Sequence, residues 1–407
     1  MRVGLDLLYL VPGQTGGRET YARELVPAML RHDPALELVA FVNRDAGPHL
    51  AAELGSRVRA VTLPVSARSR AQWALGELAL VSVAASRARV DVLHSMANFA
   101  PPFGRFRRVV TIHDLQYRAI PELLSPANRL ATSALVSLAA RRASRIVAVS
   151  SAGADEIAAG LRIARARVDV VPNGVRLPPA AAAPVAATPT PAATPTTAAG
   201  AGLAPSPSSA PSLPSPSDNL LARLRPDARP LALAVATNLP HKNLPALIDA
   251  LALIAPTERP LLAIAGHGTD DGRLQAQATA AGVGADVRLL GHCSTAELDS
   301  LYTLAACLVL PTLHEGFGLP VIEAMARSLP VACSDIPALR EVGGAAALYF
   351  DPRSPSQIAA AISELIADTG LAGRLRELGR AQAGRFSWSA AAAGTLACYR
   401  RALESPQ

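Results

Sequence analysis

The sequence predicts an α/β protein of two doubly wound, Rossmann-like domains with parallel sheets, set in series. Three observations carry that expectation. Short β-branched runs alternate with amphipathic helical stretches along the chain, the pattern of parallel sheets covered on both faces. The 407 residues are half apolar, enough material for two cores. A low-complexity block of Ala, Pro, Thr and Ser at 180–217, with neither charge nor aromatic ring, divides the alternation in two.

In the first half, 2–8 (RVGLDLL), 36–42 (LELVAFV), 58–63 (VRAVTL), 91–94 (DVLH), 108–113 (RVVTIH), 145–150 (RIVAVS) and 168–172 (VDVVP) read as strands. Helical stretches such as 18–32 and 126–143 lie between most of them. In the second half the strands are 230–237 (PLALAVAT), 260–266 (PLLAIAG), 286–291 (DVRLLG), 307–312 (CLVLPT), 330–335 (PVACSD) and 346–350 (AALYF). The block between the halves cannot bury enough surface to offset ordering entropy. A disordered tether is therefore expected at 177–217, between a first domain at 1–176 and a second at 218–385. The pentapeptide VPNGV (171–175) reads as a turn before it.

Composition narrows the function. Residues 1–175 hold 22 arginines and no lysine against 14 acidic residues, a balance of +8, whereas the remainder stands at −1. The excess either reflects arginine-rich composition or suits an anionic partner, such as a membrane surface or a lipid phosphate. No aromatic-interleaved basic motif points to nucleic acid. Four scattered cysteines without a CxxC pair fit free thiols. The first residues are too soon broken by Pro-Gly for a secretory h-region, and no run of about 18 apolar residues occurs. A cytoplasmic protein is expected, with peripheral contact at the inner face of the cell membrane as its only membrane association. No spacing suits a metal and no Asp-x-Asp triplet occurs, so no metal is expected.

Ligands of open parallel sheets bind beyond the carboxyl ends of the strands. Six of the eight histidines (His94, His113, His241, His267, His292, His314) fall at or just after such ends, which places imidazoles from both halves on one cleft. After the strand CLVLPT, the turn HEGFG leads into the helix LPVIEAMARS, with Pro320 in its first turn. Gly316 and Gly318 let backbone amides approach a ligand, and the helix N-terminus favours a phosphate there. Glu315 and Glu323 flank the turn, and carboxylates accept hydrogen bonds from hydroxyls. A phosphate between two polyols, as in a nucleotide diphosphate sugar, would use the whole layout.

His241, Lys242 and Asn243 open another helix, a second anion site. Lys242 is the only lysine in the chain, against 38 arginines. A compact ammonium reaches where a planar guanidinium would not fit. In the first half, GQTGGRETYARELV joins the first strand to the first helix through Gly13, Gly16 and Gly17, which suits a phosphate approach or a plain flexible connection equally. His113-Asp114 ends a strand, facing the cleft or simply as a polar terminus.

Together with TIHDL, VPNGV, PHKNLPALIDAL, LAIAGHG, IPALREVGG and the 287–326 stretch ending HEGFGLPVIEAMA, the chain resembles the retaining GT-B glycosyltransferases of family 4. It is most similar to bacterial mannosyltransferase-type enzymes of polysaccharide and lipopolysaccharide assembly. The likeness covers nearly everything except the 180–217 insert. It implies transfer of a hexose from a GDP- or UDP-linked donor, with no other cofactor, to a glycan or lipid-linked glycan, a transfer expected to be metal-independent because metal-ligand spacing is missing. It also implies that Glu315 holds the donor sugar and that the amides of Gly316, Phe317, Gly318 and Leu319 meet sugar and phosphates. Glu323 would take the ribose, and Lys242 the leaving diphosphate. Gly16 and Gly17 would approach the phosphates from across the cleft, His113 would border the reacting sugar, and the base would lie near His292 and Cys293. Many relatives have Arg where this chain has His241, whose charge depends on pH. The segment 386–407 matches the family's final helix, which crosses back onto the first domain; a surface helix on the second domain is the other reading.

A sugar-nucleotide epimerase on the same fold, revealed by isomerisation of donor without acceptor, is the alternative enzyme. A non-catalytic partner subunit is the other, and donor turnover would exclude it. Excising residues 182–215 is expected to leave turnover within a few-fold, because a doubling of loop length changes closure entropy by only about 0.6 kcal/mol. A large loss of kcat with the fold intact would give the insert a task of its own.

Overall fold

The computed structural model describes residues 1–177, Leu224 and residues 229–405. All thirteen expected strands are present. Seven, β1 (Arg2–Leu7), β2 (Glu37–Asn43), β3 (Val58–Leu63), β4 (Val92–Ser95), β5 (Arg107–Ile112), β6 (Arg145–Ala148) and β7 (Val168–Val170), form one sheet in the order β3-β2-β1-β4-β5-β6-β7. Six more, β8 (Leu231–Val235), β9 (Leu261–Ala265), β10 (Val287–Gly291), β11 (Cys307–Leu310), β12 (Val331–Ser334) and β13 (Ala347–Phe350), form a second in the order β10-β9-β8-β11-β12-β13. Every neighbouring pair is parallel. Central strands such as β11 and β12 are buried at every position, which is why they read as continuous apolar runs rather than alternating ones.

Strand order reverses between β1 and β4 in the first sheet and between β8 and β11 in the second. These switch points are where the loops leaving adjacent strands diverge and open a crevice. The loops after β1, β8 and β11 carry Gly16, Lys242 and Glu315 respectively, so topology alone gathers the residues that local sequence scatters. Helix starts are specified locally. Ser150, Ser294, Ser354 and Ser387 each accept a backbone N–H of the first turn, and Ser294 completes a reciprocal capping box with Glu297.

The last helix, Trp388–Glu404, packs on the first sheet and on the helix Gly17–His32. Tyr399 is wholly buried, its hydroxyl 2.7 Å from His94 Nδ1, while His94 Nε2 is 2.7 Å from Thr111 Oγ1. Arg401 reaches Asp169 at 3.0 Å beside the Arg145–Asp169 pair. Two expectations are corrected here. His94 does not face the cleft; burial holds it neutral, with its pKa down at about 3, as an interior link to the last helix. VPNGV is more than a turn, because Val175 N donates to Phe386 O at 3.2 Å and a Cβ on Gly174 would collide with the Trp388 backbone. The four cysteines are buried free thiols. The tether expected at 177–217 lies, beyond Leu177, outside the described residues.

Candidate functional site

The turn between β11 and the helix Leu319–Ala326 is the centre of the site. Gly318 caps that helix at φ 100°, a backbone that L side chains rarely adopt, and a Cβ there would strike Leu339. Gly316 has an ordinary φ but no room, since a Cβ would fall far inside contact of the His113 carbonyl of the first domain. Ser150 Oγ, also of the first domain, donates to Gly316 O at 2.7 Å. Phe317 is buried, its ring edge-on to Phe386 at 5.6 Å. The expectation that Gly316 makes room for a ligand is therefore revised: it makes room for the opposite domain.

Beside the turn, β8 leads through a short 3-10 turn, Pro240–Lys242, into the helix Leu244–Leu253. Asn243, at φ 55°, donates its side-chain amide to Pro311 O at 3.1 Å and Pro352 O at 2.7 Å, which locks this loop against those after β11 and β13. Lys242 Nζ pairs with Glu315 Oε1, and both side chains are largely shielded, 17% and 13% exposed. His241 behaves otherwise than its motif implies. It is 5% exposed, and its carbonyl accepts from Leu313 N at 2.7 Å and Thr312 Oγ1 at 2.9 Å. Burial, and then the Lys242 charge, pull its pKa to about 4. It is neutral at pH 7, so positive charge on this loop comes from Lys242.

Glu323 sits one turn into its helix, where Tyr302 OH donates to Oε2 at 2.8 Å. Burial pushes the Glu323 carboxyl above its ordinary range, against the opposing pull of Tyr302 and Arg327. Arg327 stacks over the Tyr302 ring at 5.1 Å and donates to the Glu323 carbonyl at 2.9 Å.

From the first domain, His113 Nε2 lies 3.0 Å from Met96 O and its backbone N donates to Asn98 Oδ1 at 2.9 Å. A carbonyl can only accept, so Nε2 carries the proton and Nδ1 is the acceptor of the neutral ring. Burial holds its pKa at about 4, with Arg18 adding to the depression and the Met96 bond opposing it. Gly16, at φ 59°, and Gly17 begin the helix Gly17–His32 opposite the second domain; a Cβ on Gly16 would stand 3.9 Å from Thr237 and one on Gly17 3.2 Å from Leu319. Gly13 faces exposed His292 in the same way, at 3.2 Å, with Cys293 buried behind it. The structure thus brings together Lys242, Glu315, the 316–319 turn, His113 and the Gly16-Gly17 loop. His292 and Cys293 lie further along at the β10 end.

Residues 221–382 match the family Glycosyl transferases group 1, and residues 15–177 match Glycosyltransferase Family 4. The chain belongs to the family 4 glycosyltransferases. Over 175 residues, 42% of the chain and 45% of the relative, it is 34% identical to O-antigen chain mannosyltransferase B of Escherichia coli. It spans under half the length of the first curated relatives it matches. Two solved structures share its GT-B architecture over nearly the whole chain. Sucrose-phosphate synthase from Thermosynechococcus elongatus covers 100% of both chains at TM-score 0.74 and 20% identity. HepE of Anabaena in complex with UDP-glucose covers 98% of this chain and 99% of its own, at TM-score 0.71 and 19% identity.

Several residues of this family 4 member's site were not foreseen. Tyr302 gave no sign beyond being an aromatic in a helical stretch, and Ser150 read only as the end of the strand 145–150. Asn98 stood in no motif. Gly316→Ala isolates the close approach at the cleft, because the local backbone tolerates alanine and only the opposite domain objects. It is expected to cost about 1–3 kcal/mol of stability, as overpacking does, and to enlarge the radius of gyration in small-angle scattering. An unchanged radius and thermal midpoint would show that the turn yields.

Proposed function

We propose that the protein transfers a hexose, mannose-type, from a GDP- or UDP-linked donor to a glycan or lipid-linked glycan, without a metal and with retention of anomeric configuration. The observation that carries this reading is the meeting of Lys242, Glu315 and the His113 region where the two switch points face each other. Lys242 and the amides at the start of the helix Leu319–Ala326 would stabilise charge on the departing diphosphate. Glu315, which pairs with Lys242 in the structure, would exchange that partner for the donor's sugar hydroxyls as the ammonium turns to phosphate. Glu323, already oriented by Tyr302, keeps acceptor capacity for a ribose. The neutral His113 ring, its tautomer set by Met96, would accept from a sugar hydroxyl through Nδ1. The kinship with a mannosyltransferase supports mannose, and the complex of HepE with UDP-glucose supports a nucleoside diphosphate sugar. The first domain also exposes Leu75, Val83 and Phe103 within a few residues of exposed Arg70, Arg87 and Arg105 respectively, which supports peripheral contact with an anionic membrane.

The deciding experiment incubates the full chain with GDP- and UDP-hexoses and oligosaccharide or lipid-linked acceptors, follows product mass, and reads the new linkage by NMR. A mass gain of one hexose with the donor's anomeric configuration, undiminished by chelator, is the expected result. Isomerised donor without transfer, or an inverted linkage, would overturn it.

Glu315→Gln is expected to lower kcat more than donor affinity, whereas Glu323→Gln should chiefly weaken binding of free UDP or GDP. Equal effects on nucleotide affinity, measured by calorimetry, would remove the division between sugar-facing and ribose-facing carboxylates. Lys242→Arg preserves charge yet is expected to cut turnover strongly, because the planar fork does not fit the space of the ammonium. Near-native kcat would remove the role given to this lysine.

A further inference from the structure

The helix Ser151–Leu161 of the first domain ends against the second domain in an unusual way. The first amides of a helix have no intrahelical partners and carry positive partial charge. Ser150 Oγ satisfies Gly153 N at 2.9 Å, a local cap. The next two donors are taken from the other domain: Ser151 N donates to Glu341 Oε1 at 2.8 Å and Ala152 N to Glu341 Oε2 at 3.0 Å. Both oxygens of one carboxylate are used, which fixes orientation as well as charge. Glu341 belongs to the helix Pro337–Gly343, whose Leu339 packs against Gly318. One and a half turns along the first-domain helix, the Glu156 carboxylate lies 3.1 and 3.2 Å from His314 Nε2, and His314 immediately precedes Glu315.

We infer that Glu341 and Glu156 are positioning residues, a two-point clamp that seats the 314–319 turn on the first domain and so sets where Glu315 and Lys242 stand in the closed cleft. The inference rests on the reading of that cleft as the donor site. Glu341 holds the helix that supports Gly318, Glu156 holds the residue before Glu315, and Ser150 holds Gly316 O between them. Three contacts on successive parts of one turn leave it little freedom to shift while the domains stay together. Separation of the domains would release all three at once to water, so closing and placing Glu315 become one event.

The clamp carries a pH signature. His314 is faced by Glu156 on the helix, by Asp114 after β5, by its neighbour Glu315, and by His241 and Lys242 of the loop after β8. Burial opposes its charge, but the Glu156 bond and the charges of Glu156, Asp114 and Glu315 outweigh burial and raise its pKa above the ordinary value. The closed arrangement therefore binds a proton more tightly than separated domains do. Its advantage is fully present below the ordinary histidine pKa and is lost as pH rises through the raised one.

The test uses the full chain and three variants, Glu341→Ala, Ser151→Pro and Glu156→Gln. Proline is accommodated at the first helical position and Ser150 is already extended, so Ser151→Pro deletes one amide donor without breaking the helix. Small-angle scattering is expected to show a larger radius of gyration for Glu341→Ala and Ser151→Pro than for the native chain. Transfer kcat should fall about tenfold, the factor that corresponds to about 1.4 kcal/mol, while the Kd of free UDP or GDP stays within about twofold of native. Glu156→Gln should flatten the pH dependence of compactness and of kcat on the alkaline side of the ordinary histidine pKa. Unchanged radius and kcat in both Glu341→Ala and Ser151→Pro, or a Kd that weakens in step with kcat, would overturn the clamp. If the variants open but the native chain turns over no nucleotide sugar, the clamp stands and the donor reading falls.

Discussion

The close approach of Gly316 to the His113 carbonyl is the constraint on which the site depends. No other residue type fits that position with the domains in contact. Around it the side chains have fixed destinations, Glu315 toward Lys242 and Phe317 toward Phe386 on one side and His113 toward Met96 on the other, and the contact brings the two sets face to face. A larger separation would leave each of these pairs intact but part the His113 side from the Lys242–Glu315 side. The site is therefore a property of the domain contact more than of either sheet, although each sheet supplies its switch point.

Burial at this contact sorts the charges. Three histidines lie around the Lys242–Glu315 pair, and their environments push them in opposite directions. His113 and His241 are pressed towards the neutral form, whereas His314 is drawn towards the charged form by Glu156. The settled positive charge near the turn is thus that of Lys242, while His314, on the side of the first domain, is drawn towards the charged form. In the proposed reaction that settled charge matters, because a departing diphosphate is stabilised by charge that is fixed before the reaction begins. A charged His241 would add attraction, but burial and the neighbouring Lys242 charge both oppose it, whereas His314 has the Glu156 carboxylate at its Nε2.

Much of the fold was legible because parallel strands buried on both faces leave a local mark. The runs at β8, β9 and β11 are apolar throughout, and the serines and prolines at helix starts punctuate them. Site residues were legible where local chemistry states their use, as with two glutamates about a Gly-Phe-Gly turn or a lone lysine at a helix start. What could not be read was which partner each would meet. Gly316 looked like space for a ligand, because a glycine requirement does not say what approaches it. His94 and His113 both end strands, yet one lies under the last helix and the other opens to the cleft; only the packing of Tyr399 separates them. Glu341 stood in a familiar stretch, but its use is set 190 residues away by the start of another helix.

The last helix shows why the relative placement of the domains need not rest on the segment between them. Chain entropy of a long connection changes slowly with its length, so such a connection brings the halves near each other without choosing an angle. The angle has to come from contacts that are specific in direction. The helix Trp388–Glu404 supplies one set, through Tyr399 with His94, Arg401 with Asp169, and the Trp388 backbone against Gly174. The turn at 314–319 supplies the other, on the opposite side of Phe386, whose ring meets Phe317. One apolar cluster joins them, running from Val3, Leu5 and Tyr21 of the first domain through Trp388 and Tyr399 to Phe317, Leu319 and Leu339 of the second. With the returning helix as a fixed anchor, the polar contacts at the turn have only a small remaining range of motion to decide, and a few hydrogen bonds are enough to decide it.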